Sequence, residues 1–285
     1  MPTPVKSAFS VEGEGEPIFL IHGIGASRAS FAGLVPHLKN EYRVISYDLR
    51  GHGASPKPMP PYTLDDLVED LEALRKELGI EKAHFAGHSL GGMIGPAYAL
   101  KYPQHVLTLG LYSTAAFRTE DDSAKVKGVV TAMRAKGIPQ VLEALKDRWF
   151  TPEFGQRRPD VIARRMQQVI DTDPDVFLSV FDIYAETEMA PWLHKVKHPS
   201  LVLTGENDGG CNPRLNKLIA EALPDAELVI LPVLRHAILL EASDQVAPPV
   251  LDFLRRHNCP KVSFVSPGSR YWACRRCGTM CRSSG

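Results

Sequence analysis

A serine flanked by glycines carries the most specific chemical signal in this chain of 285 residues. Residues 87–92 read Gly-His-Ser-Leu-Gly-Gly and stand between a strand candidate at 82–86 and a helix candidate at 93–102. Because Gly87 and Gly91 lack side chains, the chain can turn tightly there. Such a strained strand-to-helix turn is a nucleophile elbow, which holds a serine hydroxyl above the edge of a sheet. We therefore predict Ser89 as a nucleophile; the alternative is a glycine-rich turn with an incidental serine.

A serine nucleophile requires a base within hydrogen-bond reach, because a neutral hydroxyl attacks weakly. We predict His236 as this base, since it follows a strand candidate and precedes residues 239–241, where a loop would bring it over the sheet. An acid must then orient the imidazole and stabilise its charged form. Asp208 follows the end of another strand candidate and is the predicted acid, with Glu206 as the alternative.

The oxygen of the attacked carbonyl also requires backbone N–H donors, because it becomes negatively charged. Leu90 follows the serine at the start of the helix and is the first predicted donor. Ile24 is the second, from the loop after the first long strand, and Gly25 is its substitute. His22 is expected to order this loop and His88 to pack beside the serine. Both histidines are also candidates for lining a substrate pocket.

Strand and helix patterns alternate along the elements that must position these groups. Strands are predicted at 5–11, 18–21, 44–47, 82–86, 106–111, 201–204 and 228–231, and helices at 30–39, 64–78, 93–102, 213–223 and 243–257. Continuous apolar strands are typical of parallel sheets that are buried on both faces. The alternation predicts an α/β fold with a mostly parallel, doubly wound sheet and right-handed crossovers.

Residues 114–195 break this alternation, because they contain no clear strand. Four helices are predicted there, at 123–136, 139–150, 159–171 and 174–188. An all-helical insertion in an α/β pattern predicts a cap over the catalytic face; the alternative is a separate bundle packed elsewhere. Trp149, Phe150 and Trp192 are candidates for the wall of an apolar pocket, although aromatic residues at helical spacing usually face the core.

Composition and charge argue against several kinds of partner. The 33 basic and 33 acidic residues give a formal net charge of zero, which does not favour nucleic acid or an anionic membrane surface. No apolar run approaches the roughly 20 residues of a membrane span. The first 15 residues lack the pattern of a secretory signal, so we expect a cytoplasmic protein.

Four of the five cysteines fall in the last 27 residues. Cys274, Cys277 and Cys281 could bind zinc together with His257 or Cys259, but the second half of a zinc pattern is missing. Because residues 260–285 also lack helical or strand periodicity, we predict a disordered tail over 259–285 and assign no metal site.

The ordered motifs resemble the α/β-hydrolase superfamily over roughly residues 10–257. Residues 22–25 (His-Gly-Ile-Gly) resemble its oxyanion loop, and residues 48–55 (Asp-Leu-Arg-Gly-His-Gly-Ala-Ser) resemble its D-x-R-G-x-G-x-S loop. Residues 87–92 match its elbow, and residues 205–208 and 235–236 stand at its acid and base positions. The resemblance implies the α/β-hydrolase fold, with core segments 1–112 and 196–258 and a helical cap, 113–195, inserted after the sixth strand.

Within this superfamily, one subfamily resembles the chain more closely than the others do. Residues 148–154 (Arg-Trp-Phe-Thr-Pro-Glu-Phe) and 171–174 (Asp-Thr-Asp-Pro) are similar to 3-oxoadipate enol-lactonases, although these usually lack the His-Gly pair at 22–23. Arg235, before the predicted base, is expected to reach solvent; recruitment of an anionic substrate is the alternative.

The function predicted from these residues is hydrolysis of a small carboxylic ester or lactone through an acyl-enzyme on Ser89, with no metal or organic cofactor. A carbon–carbon bond hydrolase of aromatic degradation or a cofactor-free perhydrolase would keep the same three residues. A ligand-binding, receptor-like protein on this fold is the alternative from another class. Neither nucleic acid nor membrane is an expected partner, and monomer and homodimer both remain open.

Overall fold

A seven-stranded sheet forms the centre of the molecule. The computed structural model describes residues 3–258, 261–262, 271–274 and 280–282. The strands are β1 (Phe9–Glu12), β2 (Glu16–Ile21), β3 (Tyr42–Tyr47), β4 (Ala83–His88), β5 (Val106–Tyr112), β6 (Ser200–Gly205) and β7 (Ala226–Leu231). Their order across the sheet is β1-β3-β2-β4-β5-β6-β7. Strand β1 is antiparallel to β3 and all other pairs are parallel, as the sequence predicts.

Helices cover both faces of this sheet and connect its strands. The bounds are α1 (Val35–Leu38), α2 (Leu64–Glu77), α3 (Gly91–Lys101), α4 (Glu120–Lys136), α5 (Ile138–Trp149), α6 (Pro152–Arg157), α7 (Pro159–Asp171), α8 (Pro174–Glu186), α9 (Pro213–Ala222), α10 (Ile238–Glu241) and α11 (Ser243–His257). Short 3₁₀ helices lie at Arg28–Phe31, Pro103–His105 and Leu193–Lys195. The helix predicted at 30–39 is wrong, because Pro36 lacks the N–H that would bond to the previous turn and splits the segment.

Alternate side chains of β2 pack against the two layers of helices, one on each face of the sheet. Phe19 and Ile21 pack in the apolar cluster that contains α2 and α3, whereas Ile18 and Leu20 pack in the cluster that contains α11. All four side chains are fully buried. Successive side chains of a strand point to opposite faces, so this continuous apolar run gives the sheet two buried faces.

The five helices α4–α8 form one insertion between β5 and β6, called the helical insertion below. It follows the fifth strand of the chain, not the sixth, because only β1 precedes β2 in the described residues. Side chains also hold the backbone before β1. The Val5 N–H donates to Asp70 Oδ1 at 2.8 Å, and the Ala8 N–H donates to Ser55 Oγ at 2.9 Å.

Three short strands are described beyond α11, namely β8 (Lys261–Val262), β9 (Tyr271–Cys274) and β10 (Met280–Arg282), paired antiparallel in the order β10-β9-β8. Cys274 and Cys281 belong to β9 and β10, whereas the rest of the predicted tail, with Cys259 and Cys277, lies outside the described residues. No described helix is both long and apolar enough to cross a membrane.

Candidate active site

Ser89 lies on the turn between β4 and α3, with φ at +57°. A Cβ on Gly87 would come within 2.0 Å of the Gly91 carbonyl oxygen, and a Cβ on Gly91 within 2.1 Å of the Ile21 carbonyl oxygen. Only glycine fits such close backbone approaches. The Ser89 N–H donates to the Tyr112 carbonyl oxygen of β5 at 2.9 Å. The strained conformation is therefore held by packing and by a bond to the neighbouring strand.

Asp208 and His236 form a hydrogen-bonded pair at the carboxyl ends of β6 and β7. His236 Nδ1 lies 2.8 Å from Asp208 Oδ2. The other carboxylate oxygen, Oδ1, accepts the backbone N–H groups of Gly210 at 3.0 Å and Cys211 at 2.8 Å. Because Nδ1 faces a carboxylate, it carries the proton, which leaves Nε2 to accept another one. Both side chains line the same cavity as Ser89.

The charges of this pair stabilise each other. Burial opposes the charged imidazolium, but the Asp208 carboxylate and its hydrogen bond, together with the neighbouring Cys211, outweigh burial and raise the pKa of His236. Burial likewise opposes the Asp208 charge, yet His236 and the two backbone N–H groups lower the pKa of this carboxyl. The arrangement can therefore hold an ionised carboxylate beside an imidazole that gains a proton.

The backbone N–H groups of Ile24 and Leu90 lie near the serine and have no acceptor within residues 3–258. A Cβ on Gly23 would lie only 3.4 Å from Ser89 Oγ, so the loop that bears Ile24 closely approaches the hydroxyl. The prediction of Gly25 as a substitute donor is wrong. Its N–H is already used, because it donates to His52 Nε2 at 3.2 Å.

His22 orders the loop as predicted but does not line the cavity. Its Nδ1 donates to the Gly23 carbonyl oxygen at 2.8 Å, and its Nε2 accepts the Leu49 N–H at 2.9 Å. The Gly23 carbonyl belongs to the same peptide unit as the Ile24 N–H, so His22 orients that donor. The side chain is fully buried, and the prediction of a pocket role for it is wrong.

His88 packs beside the serine and also anchors the predicted base. Its Nε2 donates to the His236 carbonyl oxygen at 2.9 Å, and the two rings lie 4.8 Å apart. Burial, followed by the charge of His236, lowers the pKa of His88 to about 3. A neutral His88 lines the cavity as predicted.

The cavity lies between the sheet and the helical insertion. Trp149 and Phe150 line it, as predicted, whereas Trp192 does not. Because α8 ends before it, Trp192 falls in the connection back to β6 and packs against the core. Further aromatic and apolar walls come from Leu145, Phe177, Phe181 and Tyr184. Three arginines that the sequence analysis did not single out also line the cavity, Arg118, Arg148 and Arg165.

Arg165 joins the helical insertion to residues 22–25, the predicted oxyanion loop. Its guanidinium donates to the carbonyl oxygens of Gly25 at 2.5 Å and Ile24 at 3.0 Å, and it lies over the Trp149 ring at 5.4 Å. Burial lowers the pKa of Arg165 to about 10, so it remains a cation at neutral pH. No carboxylate pairs with it within residues 3–258, so its donors serve the loop.

Arg235 is partly exposed, as expected, and its guanidinium also bonds to the helical insertion; it does not line the cavity, where the alternative role of recruiting an anionic substrate would place it. Its Nη1 donates to the carbonyl oxygens of Asp147 and Phe150, the latter at 2.9 Å. The Ala237 N–H also donates to the Trp149 carbonyl oxygen at 2.9 Å. The end of α5 is thus bonded to the segment that bears the predicted base. The last carbonyl groups of a helix have no partner within the helix, so they can accept these N–H groups.

Cys211 is a site residue that the sequence analysis left isolated. Its buried thiol lies beside His236 and 3.1 Å from the Tyr184 hydroxyl. Asp208, Cys211 and His236 each offer one metal-binding atom within 4.8 Å of the others. The sequence signal that identifies Cys211 as a site residue is its position, because it follows Asp208 by three residues in the same loop.

Comparisons with known proteins agree with this fold. Residues 16–243 match the family model described as alpha/beta hydrolase fold. The dihydrolipoyllysine-residue acetyltransferase component of the acetoin cleaving system of Pseudomonas putida is 32% identical over 254 residues, which are 87% of this chain and 66% of that protein. The 3-oxoadipate enol-lactonase 2 of Acinetobacter baylyi is 29% identical over 187 residues, 66% of this chain and 69% of the relative. The crystal structure of the enol-lactonase from Burkholderia xenovorans LB400 superposes with a TM-score of 0.82 and 28% identity, covering 88% of this chain and 97% of that one.

Proposed function

This chain belongs to the α/β-hydrolase fold family, and we propose that it is a serine hydrolase of carboxylic esters or lactones. The observation that carries the proposal is the meeting of three groups at one cavity. Ser89 on its strained turn faces the same space as the hydrogen-bonded Asp208 and His236. A nucleophile, a base and an acid that orients the base are the parts required for acyl transfer.

In the proposed reaction, Ser89 Oγ attacks the acyl carbon while His236 Nε2 accepts the hydroxyl proton. The carbonyl oxygen becomes an oxyanion and accepts the N–H groups of Ile24 and Leu90. The Asp208 carboxylate stabilises the imidazolium. His236 then returns the proton to the leaving oxygen, which departs from an acyl-enzyme. Water, activated by the same imidazole, hydrolyses this ester and frees Ser89.

The ester or lactone class is supported by the relatives and by the cavity. Two of the similar proteins are named as enol-lactonases, and a lactone is a cyclic carboxylic ester. The aromatic walls that the helical insertion contributes suit an apolar acyl or ring portion, because such walls bury apolar surface. No step of the proposed reaction requires a metal or an organic cofactor.

Steady-state hydrolysis tests the proposal directly. The substrates are p-nitrophenyl esters from acetyl to dodecanoyl and an enol-lactone, compared between the parent, Ser89→Ala and the control Ser10→Ala. Ser10 is exposed on the edge strand β1 and does not line the cavity. We expect multiple turnovers in the parent and in Ser10→Ala, and a loss of at least about a thousandfold in Ser89→Ala.

Turnover that persists in Ser89→Ala would contradict the serine mechanism. The absence of turnover on every ester and lactone, from folded protein, would contradict the whole class. Among active substrates, the chain length with the highest kcat/KM measures how deep the cavity is.

A further inference from the structure

Cys211 adds a third metal-binding group to the Asp208–His236 pair. One carboxylate oxygen, the Cys211 sulfur and one ring nitrogen of His236 all lie within 4.8 Å of one another. Asp208 and Cys211 are buried and His236 is partly buried. Carboxylate, thiolate and imidazole are the ligands that Zn²⁺ takes in proteins, at about 2.0–2.3 Å. Three such ligands around one point suit a tetrahedral Zn²⁺ site whose fourth position is open.

The loop that bears two of these ligands is held in place. Asp208 Oδ1 accepts the N–H groups of Gly210 and Cys211, so the carboxylate fixes the turn that brings the sulfur beside it. From the helical insertion, the Tyr184 hydroxyl lies 3.1 Å from Cys211 Sγ and can donate to a thiolate. Such outer partners orient metal ligands. The three ligands also line the cavity, which gives an ion a way in.

We propose that Asp208, Cys211 and His236 form a binding site for a thiophilic divalent metal ion such as Zn²⁺, and that the bound ion inhibits the hydrolase. The inhibitory part rests on the proposed function, whereas the binding part does not. On binding, the Cys211 thiol releases its proton to solvent. The imidazole of His236 keeps a single proton, on the ring nitrogen that faces away from the ion, and the other nitrogen gives its lone pair to the metal. An imidazole held by the ion and a carboxylate bound to it no longer serve Ser89 as base and acid. The fourth position of the ion remains open to water.

The experiment must separate this site from the other thiols of the chain. Cys259, Cys274, Cys277 and Cys281 bind thiophilic metals whatever their structure, so the full chain is prepared with serine at these four positions. Cys211→Ser is then added to this parent. His37→Gln is the matched control, because His37 Nε2 also lies beside a carboxylate, Asp244, at 3.1 Å, but on an exposed surface.

Binding is measured without reference to activity, by titrating Cd²⁺ and recording the ultraviolet thiolate-to-metal charge-transfer band. We expect one equivalent of Cd²⁺ to produce the band in the parent and in His37→Gln, and no band in Cys211→Ser. Because Cys211→Ser has no thiol left in this background, it only assigns the band to Cys211. A parent without the band would overturn the site, and so would a His236→Ala variant that binds Cd²⁺ as tightly as the parent. Because this readout needs no turnover, it decides the site even where no ester is hydrolysed.

Inhibition is measured on the same proteins with a p-nitrophenyl ester. We expect Zn²⁺ to inhibit the parent reversibly, with activity restored by EDTA. The zinc concentration for half inhibition should rise by at least about tenfold in Cys211→Ser, since even outer-shell changes weaken metal sites that much. Equal inhibition of the parent and Cys211→Ser, or stimulation by zinc, would overturn the inhibitory role.

Discussion

Single residues divide the work at the site, and the acid is the clearest case. Asp208 bonds to His236, whereas the neighbouring Glu206 uses its carboxylate to accept the Val233 N–H at 3.0 Å on an exposed surface. We expect Asp208→Asn to lower kcat/KM by about 10⁴-fold, because the amide no longer stabilises the imidazolium. Glu206→Gln is the control and should leave kcat/KM unchanged. If ester hydrolysis showed an unchanged kcat/KM in Asp208→Asn and a large loss in Glu206→Gln, the acid would be Glu206.

In the proposed mechanism, the same carboxylate sets the pH at which His236 acts as a base. Hydrolysis needs His236 in its neutral form, so kcat/KM rises with pH as this imidazole loses its proton. Since Asp208 raises the pKa of His236, the acidic limb should lie above the pH expected for an ordinary histidine. In Asp208→Asn the pKa of His236 should fall. ¹⁵N NMR titration of the imidazole measures it without turnover, and an unchanged value would contradict the assigned coupling.

At the scale of elements, the strand–turn–helix of β4 and α3 depends on two glycines. Gly87→Ala would place a methyl group 2.0 Å from a backbone oxygen. We expect it to lower the free energy of unfolding by about 3 kcal/mol or more, as severe overpacking does. Gly128→Ala is the control, since nothing lies within 4 Å of that position in α4, and it should stabilise by about 0.5–1 kcal/mol. Urea unfolding compares them, and equal midpoints would refute the steric argument.

The α7 helix presents two adjacent arginines with different surroundings. Arg165 holds the oxyanion loop, whereas Arg164 pairs with Asp160 at 3.1 Å on the surface. We expect Arg165→Gln to lower kcat by about ten- to a hundredfold with little change in KM, because the loop donor shifts while the apolar walls remain. Arg164→Gln should behave as the parent, since surface pairs contribute little. A larger effect on KM than on kcat would identify Arg165 as a substrate contact instead.

Over the whole molecule, local pattern predicted far more than long-range packing. The strand, the glycines and the helix around Ser89 are consecutive in sequence, so their geometry follows from local sterics. Trp192 does not line the cavity, because an apolar residue type predicts that a side chain is buried but not what it is buried against. His22 lies in the predicted loop, but the sequence does not show which way its ring points. The contacts of Arg165 and Arg235 were missed for the same reason. Both join segments far apart in the chain, and the folded arrangement alone brings their carbonyl acceptors within reach.

The bonds between the end of α5 and the base segment have a consequence for how such proteins can be altered. Arg235 and Ala237 donate to carbonyls at residues 147–150, and the Thr151 N–H donates to Glu241 Oε2 at 3.1 Å. The helical insertion is thus not an exchangeable module. A graft that replaced it with a relative's insertion would also remove the supports of the imidazole. Recombination that seeks a new specificity would have to transplant residues 235–241 together with the insertion.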